Sequence, residues 1–234
     1  GADQLAGRPG IGHAFFAEDL EALNRELTQT LEQLREDVEA GRRIQLQLLP
    51  DDNQDFGGYT FRRRLYPSRY LSGDFIDYFP IDDRCMGFYM ADVSGHGAAS
   101  AFVTVMLNTL VVQYRDALYQ SGDDTILQPQ QTLVRLNRDI CRQNLDKHLT
   151  LFYGVIDREK NTLRYSNAGQ FPYPLLYDGH ETRTLECRGR PLGLFDDAQF
   201  NVHQCELPQE FCLALVSDGI LELMSEASLL ERYS

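Results

Sequence analysis

No apolar run in this sequence approaches the roughly 20 residues needed to cross a bilayer, and the start, GADQLAGRPG, lacks the basic-then-apolar order of a secretory signal. A cytoplasmic protein is expected. Basic residues are in short supply: 22 Lys and Arg face 35 Asp and Glu, a formal charge of -13. Nucleic acid and anionic membrane are held by clustered Lys and Arg, so the chain as a whole is a poor partner for either. Cysteine is sparse and scattered. Cys85, Cys141, Cys187, Cys205 and Cys212 are odd in number and contain no C-x-x-C pair, which suggests neither a disulfide framework nor a structural zinc site. They read as reduced filler. What is present is core-forming material. The 234 residues are 43% hydrophobic and 24% charged, enough for one sizeable core with an appended segment and too apolar for a disordered chain.

Residues 1–17 are unpatterned and read as linker. From Glu18 the texture changes. Leu20, Leu23, Leu27, Leu31, Leu34 and Val38 recur at steps of three, four, four, three and four, with Glu, Gln, Arg and Thr between them, which predicts one long amphipathic helix over residues 18–50. Two consecutive steps of four interrupt a strict heptad, so a coiled coil here needs a local stutter. Such a narrow stripe either folds back on its own domain or pairs with its own copy as a dimerising, signalling stalk. Pro50 and the DDNQDFGG stretch end the helix. The domain of residues 51–234 then has its first strand at Tyr59–Tyr66. Further strands are predicted at Gly73–Phe79, Met86–Val93, Thr150–Asp157, Thr162–Ser166, Tyr173–Tyr177, Glu181–Glu186, Phe200–Glu206 and Phe211–Ser217. Helices are predicted at Ala98–Tyr119, at Gln130–Asn144 and after Gly219. Strands outnumber helices and follow one another through short turns, which argues an antiparallel α+β domain and against a parallel βαβ repeat.

The most informative stretch is SGDFIDYFPIDDRCMGFYMADVSGHGAAS. Paired residues of an antiparallel hairpin have a constant number sum, and Asp74 with Asp92 is symmetric about Asp83 in the turn. The two carboxylates should face each other at the end of an apolar row formed by Ile76 and Tyr78 on one strand and Phe88 and Met90 on the other. Like charges opposed at roughly 5 Å are destabilising unless something positive lies between them. A hard divalent cation answers that need, and Mg²⁺ or Mn²⁺ accepts carboxylates, backbone carbonyls and water. The glycines of Ser94-Gly95-His96-Gly97 would let the backbone approach such an ion. The plainer alternative, two aspartates capping turns and facing solvent, stays open on these residues alone. A third carboxylate, Asp218, ends the apolar run LALVSDG, at the kind of strand end where sites assemble.

With those residues in view, the sequence resembles the metal-dependent Ser/Thr phosphatases of type 2C, in the bacterial branch that holds sporulation phosphatase IIE and the sigma-B regulator phosphatases. The motifs occur in the family's order: LQLLP (residues 46–50), SGDFIDYF (72–79), ADVSGHGAASA (91–101), TLFYGVID (150–157), NAGQFPYPLL (167–176), RPLGL (190–194) and VSDGILE (216–222). Any one is weak; the ordered set is specific. The preceding helix is similar to the linker joining such phosphatases to receiver or other sensory domains, and the whole looks most like the output domain of an RssB-type response regulator.

The resemblance implies an α-β-β-α sandwich, two antiparallel sheets flanked by helices, and a site for two divalent cations, Mn²⁺ or Mg²⁺. Position by position, it makes Asp74 a metal carboxylate, Asp92 the shared ligand, the Val93 carbonyl a backbone ligand and Asp218 a ligand of the second ion. It implies hydrolysis of phosphoserine or phosphothreonine by water activated on the metals, with a phosphorylated anti-sigma-factor antagonist as substrate. Two departures stand out. Ser72-Gly73-Asp74 replaces the family's Gly-Gly-Asp, and the family's final strand, with an Asp-Asp pair serving the second ion, would lie beyond Ser234. Its loss would weaken the second metal, with water filling the vacant position, and motivates the rival expectation of a catalytically silent adaptor binding a sigma factor or its regulator. A diguanylate cyclase is a distant third, since SGDF is not a GGDEF motif.

Lesser candidates read more plainly. Asp77 alternates to the face opposite Asp74 and suits a supporting role. His96 suits a hydrogen bond fixing the glycine loop better than proton transfer. Arg62, Arg63 and Arg64 suit a solvated strand face better than phosphate contact. Residues 167–170 read as a tight turn.

Overall fold

Leucines spaced by three and four put Ile11–Gln47 in one helix, α1, at the start of the computed structural model, which describes residues 11–65 and 73–222. The helix begins before the expected Glu18 and is closed by turn bonds from the Leu48 and Leu49 amides to the Gln45 and Leu46 carbonyls, ahead of Pro50. Leu20, Leu23, Leu27, Leu31 and Leu34 are all exposed, at 45–62%. The stripe is therefore not laid against the chain's own domain.

Strands β1 (Asn53–Phe56) and β2 (Tyr59–Arg62) form a hairpin. The first of them occupies the stretch whose composition predicts only a turn, and β2 is shorter than expected; residues 66–72, including Ser72, lie outside the described residues. Next come β3 (Asp74–Pro80), β4 (Cys85–Val93), helix α2 (Ala98–Ser121), a 3₁₀ turn at Asp124–Leu127, and helix α3 (Pro129–Gln143). Pro129 starts α3 where its missing donor costs nothing. They are followed by β5 (Leu149–Asp157), β6 (Thr162–Ala168), β7 (Leu175–Tyr177), β8 (Thr182–Thr184), β9 (His203–Glu206), β10 (Cys212–Ala214) and α4 (Gly219–Glu222). The terminal residues 223–234 lie outside the described residues.

Among the described residues every strand pairing is antiparallel. The main sheet has the order β3-β4-β5-β6-β9, and a smaller one the order β10-β7-β8. This is the expected α+β architecture, with two layers of core. On one face of the main sheet Phe75, Tyr89, Leu151 and Tyr153 pack with Leu107, Val111, Leu133 and Leu136 of α2 and α3. On the other, Tyr78, Phe88, Phe152 and Tyr165 pack with Leu176, Leu185 and Cys187, and the β1–β2 hairpin adds Phe56 and Phe61. Central strands covered on both faces read as continuous apolar runs, and eight of the nine residues of β4 are buried.

Polar groups inside this core are tied down. Tyr153 is fully buried, and its hydroxyl donates to the Ile126 carbonyl at 2.7 Å, fastening β5 to the 3₁₀ turn. Tyr153→Phe leaves that carbonyl without its partner; chemical denaturation should show a loss of about 1–2 kcal/mol.

Candidate active site

The constant-sum register holds without a bulge: Asp74 lies opposite Asp92, Ile76 opposite Met90 and Tyr78 opposite Phe88. The two carboxylates thus end an apolar row, at the edge of the main sheet where β4 runs into the glycine loop. Burial, then Asp74, then Asp218 push the Asp92 carboxyl up to about 6. Asp74 is also raised, by burial first and by Asp218, while a hydrogen bond from the Ser217 side chain acts against the shift. The 217–218 segment therefore reaches the hairpin from the far end of the chain. Asp218 itself sits at the mouth of α4, whose first turn is closed by a 2.8 Å bond from the Leu221 amide to the Asp218 carbonyl. Among the described residues, no three His, Cys, Asp or Glu side chains form a closed metal cluster. The convergence is a facing pair with a third carboxylate in electrostatic range.

Backbone oxygen completes what the carboxylates begin. A side-chain carbon on Gly73 would collide with the Val93 carbonyl oxygen and would lie 3.2 Å from Asp92 Oδ1 and 3.3 Å from the Gly95 carbonyl oxygen. Three oxygens aimed at one small space beside Asp74 are a donor set suited to a hard divalent cation. Gly73 is required because any other residue would fill that space. The Val93 amide donates back to the Gly73 carbonyl at 3.1 Å and fixes the approach.

The glycine loop is held from one side. The Ser94 amide donates to the His148 carbonyl at 2.9 Å, and the His148 amide donates to Ser94 Oγ at 3.2 Å. Lys147 Nζ donates to the Ser94 carbonyl at 2.8 Å, as does Ser100 Oγ at 3.1 Å. His96 is exposed; the bonds that fix its loop are made by these neighbours. Asp77 lies on the helix-facing side of β3, where Asn108 Nδ2 donates to it at 3.3 Å. Burial pushes its carboxyl up to about 6 against the opposing pull of the Tyr78 amide and Arg115, a supporting position away from Asp92. Arg63 is anchored to the turn after α1, through Pro50 O at 3.0 Å and Asp52 at 2.6 Å, while Arg62 and Arg64 are exposed.

Thr150 and Asn167 each open a stretch that the motif order picks out, but the motifs do not say what either side chain does. Thr150 is the partner of Asp92 across β4–β5, and its hydroxyl donates to Gln170 Oε1 at 2.8 Å. Asn167, 1% exposed, holds the turn that delivers Gln170: its Nδ2 donates to the Gln170 carbonyl at 3.0 Å and the Cys187 carbonyl at 2.6 Å, and its Oδ1 accepts the Gln170 amide at 2.7 Å.

The family described as Stage II sporulation protein E (SpoIIE) matches residues 82–233, a span that includes Asp92 and Asp218. The chain belongs to the SpoIIE family. It is 27% identical over 211 residues to the phosphoserine phosphatase RsbU of Bacillus subtilis, covering 86% of this chain and 58% of the relative. It is 29% identical over 157 residues to the phosphoserine phosphatase RsbP of the same organism, covering 65% of this chain and 37% of the relative. The chain thus spans less than two thirds of either relative. Its fold is that of the SiaA-PP2C domain of Pseudomonas aeruginosa, with a TM-score of 0.64 at 19% identity over 79% of this chain and 71% of that one.

Proposed function

We propose that this chain is a metal-dependent phosphoserine/phosphothreonine protein phosphatase domain. The observation that carries the reading is the half-buried Asp74–Asp92 pair, raised in pKa and faced by the Val93 and Gly95 carbonyls, within a SpoIIE-family chain whose relatives RsbU and RsbP are phosphoserine phosphatases. Asp74, Asp92, the Val93 carbonyl and Asp218 would hold two divalent cations, Mn²⁺ or Mg²⁺. Bound there, such ions lower the pKa of the attacking water and offset charge on the phosphoryl oxygens. The chain's own part is to orient carboxylates and carbonyls at one point. Burial makes deprotonation of the carboxyl groups unfavourable until a cation is present. The same cations would let a phosphate approach a protein of charge -13.

The natural substrate, on this reading, is a phosphorylated anti-sigma-factor antagonist, and the chain is the output domain of a cytoplasmic signalling protein with an upstream receiver or sensory domain. Five free cysteines suit a reducing compartment. Helix α1 acts as a coiled-coil stalk that pairs with its copy through the exposed leucine stripe. Its lower end is coupled to the domain by Gln45, 6% exposed, whose Nε2 donates to Thr104 Oγ1 of α2 at 2.9 Å. The start of α2 follows the glycine loop directly, so a shift of α1 would move the loop that carries the Val93 carbonyl.

The test is release of phosphate from a phosphoserine protein with and without Mn²⁺. Release should require metal and stop on chelation. Because a proton must leave Asp92 before a cation binds, Mn²⁺ affinity should fall by about tenfold per pH unit below pH 6. Metal-independent release, or affinity flat between pH 5 and 7, would count against the site.

A further inference from the structure

Resting on the phosphatase reading above, we infer that Lys147 is the positioning residue that sets the Val93–Gly95 backbone for metal binding. Successive carbonyls in this loop point to opposite sides. Those of Val93 and Gly95 converge on the space at Gly73, beside Asp92 Oδ1. The Ser94 carbonyl between them is turned away and accepts Lys147 Nζ at 2.8 Å and Ser100 Oγ at 3.1 Å. The ammonium also reaches Ser100 Oγ at 3.4 Å, so Lys147, Ser100 and Ser94 close a three-membered polar cluster on the outer side of the loop. With the Ser94 amide bond to the His148 carbonyl and the His148 amide bond to Ser94 Oγ, this pins residue 94 while leaving residues 93 and 95 to face inward.

Gly95 leaves room for the ammonium. Its φ is +79°, in the left-handed region that favours glycine, and a side-chain carbon there would lie 2.9 Å from Lys147 Nζ. The lysine occupies the room that a side chain would need. A charge-assisted bond to a carbonyl is roughly twice as strong as a neutral one. Without it the Ser94 carbonyl is held only by the weaker bond from Ser100 Oγ, and a peptide that rotates away from it carries the Val93 or Gly95 oxygen off the metal position. The ammonium acts through the backbone and touches no phosphate.

A competing effect has the opposite sign. A cation near the site repels a second cation, so removing Lys147 by charge alone would tighten metal binding. The two effects separate by substitution. In calorimetric titration of the chain with Mn²⁺, Lys147→Met should weaken binding by about tenfold, the loss of one charge-assisted bond. Lys147→Arg, which keeps charge and donors, should stay within about threefold. At saturating Mn²⁺ the Met variant should recover its kcat with KM for the phosphoprotein unchanged. In the metal-free protein, amide hydrogen exchange at residues 94–97 should be faster in Lys147→Met and unchanged in the core of β5. Binding in Lys147→Met equal to or tighter than wild type, or exchange at residues 94–97 that does not change, overturns the inference. Failure of the underlying metal reading has a different signature, an absence of saturable Mn²⁺ binding by the wild-type chain.

Discussion

Asp92→Ala should abolish Mn²⁺-dependent phosphate release, lowering turnover by at least about a thousandfold, while making the metal-free protein more stable. The opposed signs make the result diagnostic. Asp92 faces Asp74 directly, lies within range of Asp218, and has its carboxyl pushed up to about 6 by burial first and by those charges second. A carboxyl whose folded pKa is raised above its ordinary value binds more protons folded than unfolded. Its contribution to stability is therefore present at low pH and is lost as pH rises from about 4 through 6. A shift of this size corresponds to about 3 kcal/mol if fully expressed, and solvent screening at a half-exposed group brings it to about 1 kcal/mol. Removing the carboxylate removes that penalty at pH 7 and changes little at pH 4. Denaturation in the presence of a chelator at the two pH values checks the stability half. If Asp92 were an ordinary turn cap, the variant would lose stability and keep its metal dependence. A structural residue does not destabilise the fold that holds it; a ligand assembled for an absent charge does.

The Asp74–Asp92 juxtaposition was legible because two independent patterns coincide. The number sum about Asp83 gives the register, and the alternation of Ile76, Tyr78, Phe88 and Met90 says which face the carboxylates share; the structure keeps both. Helices α2 and α3 were legible to within a few residues because long periodic runs end in clear stop signals, Gly122 and Asn144 in left-handed conformation. Strand β1 was not. Among Asn53, Gln54, Asp55 and Phe56 only the last is apolar, and its place in a strand comes from pairing with β2 and from the 5.8 Å contact of the Phe56 and Phe61 rings. Tertiary contact overrode a turn-like composition. Strands late in the chain were placed correctly and drawn too long: Phe211–Ser217 shrinks to Cys212–Ala214 of the small sheet and Phe200–Glu206 to His203–Glu206 of the main one. Apolar residues there continue into core-facing irregular backbone, as Phe200 does at 8% exposed, and hydrophobicity alone cannot tell a ladder from a buried loop. Lys147 gave no signal, and Thr150 only its place at the head of a motif, because their roles depend on what they meet in the fold, Ser94 O in one case and the cross-strand position of Asp92 in the other.

Asn167→Ala should be the most destabilising single change near the site, with a loss of about 3–5 kcal/mol. Its side-chain amide makes three bonds in a place closed to water, to the Gln170 carbonyl, the Cys187 carbonyl and the Gln170 amide, at 3.0, 2.6 and 2.7 Å. Alanine leaves three buried backbone groups without partners, each costing about 1–3 kcal/mol less whatever the loop recovers by relaxing. Aspartate at this position can still accept the Gln170 amide but loses both donor bonds and sets a carboxylate against two carbonyls, so Asn167→Asp should fare no better. The damage should also travel. Asn167 holds the turn that carries Gln170, Gln170 Oε1 accepts the Thr150 hydroxyl, and Thr150 stands beside Asp92 across the sheet. Mild conditions that keep Asn167→Ala folded should therefore reveal a weakened Mn²⁺ affinity as well. Thr150→Val separates the two effects: it leaves the Asn167 bonds intact, so its thermal midpoint should fall far less while the metal affinity moves in the same direction. A Thr150→Val variant with wild-type affinity would confine Asn167 to holding the fold and detach the 167–170 turn from the chemistry.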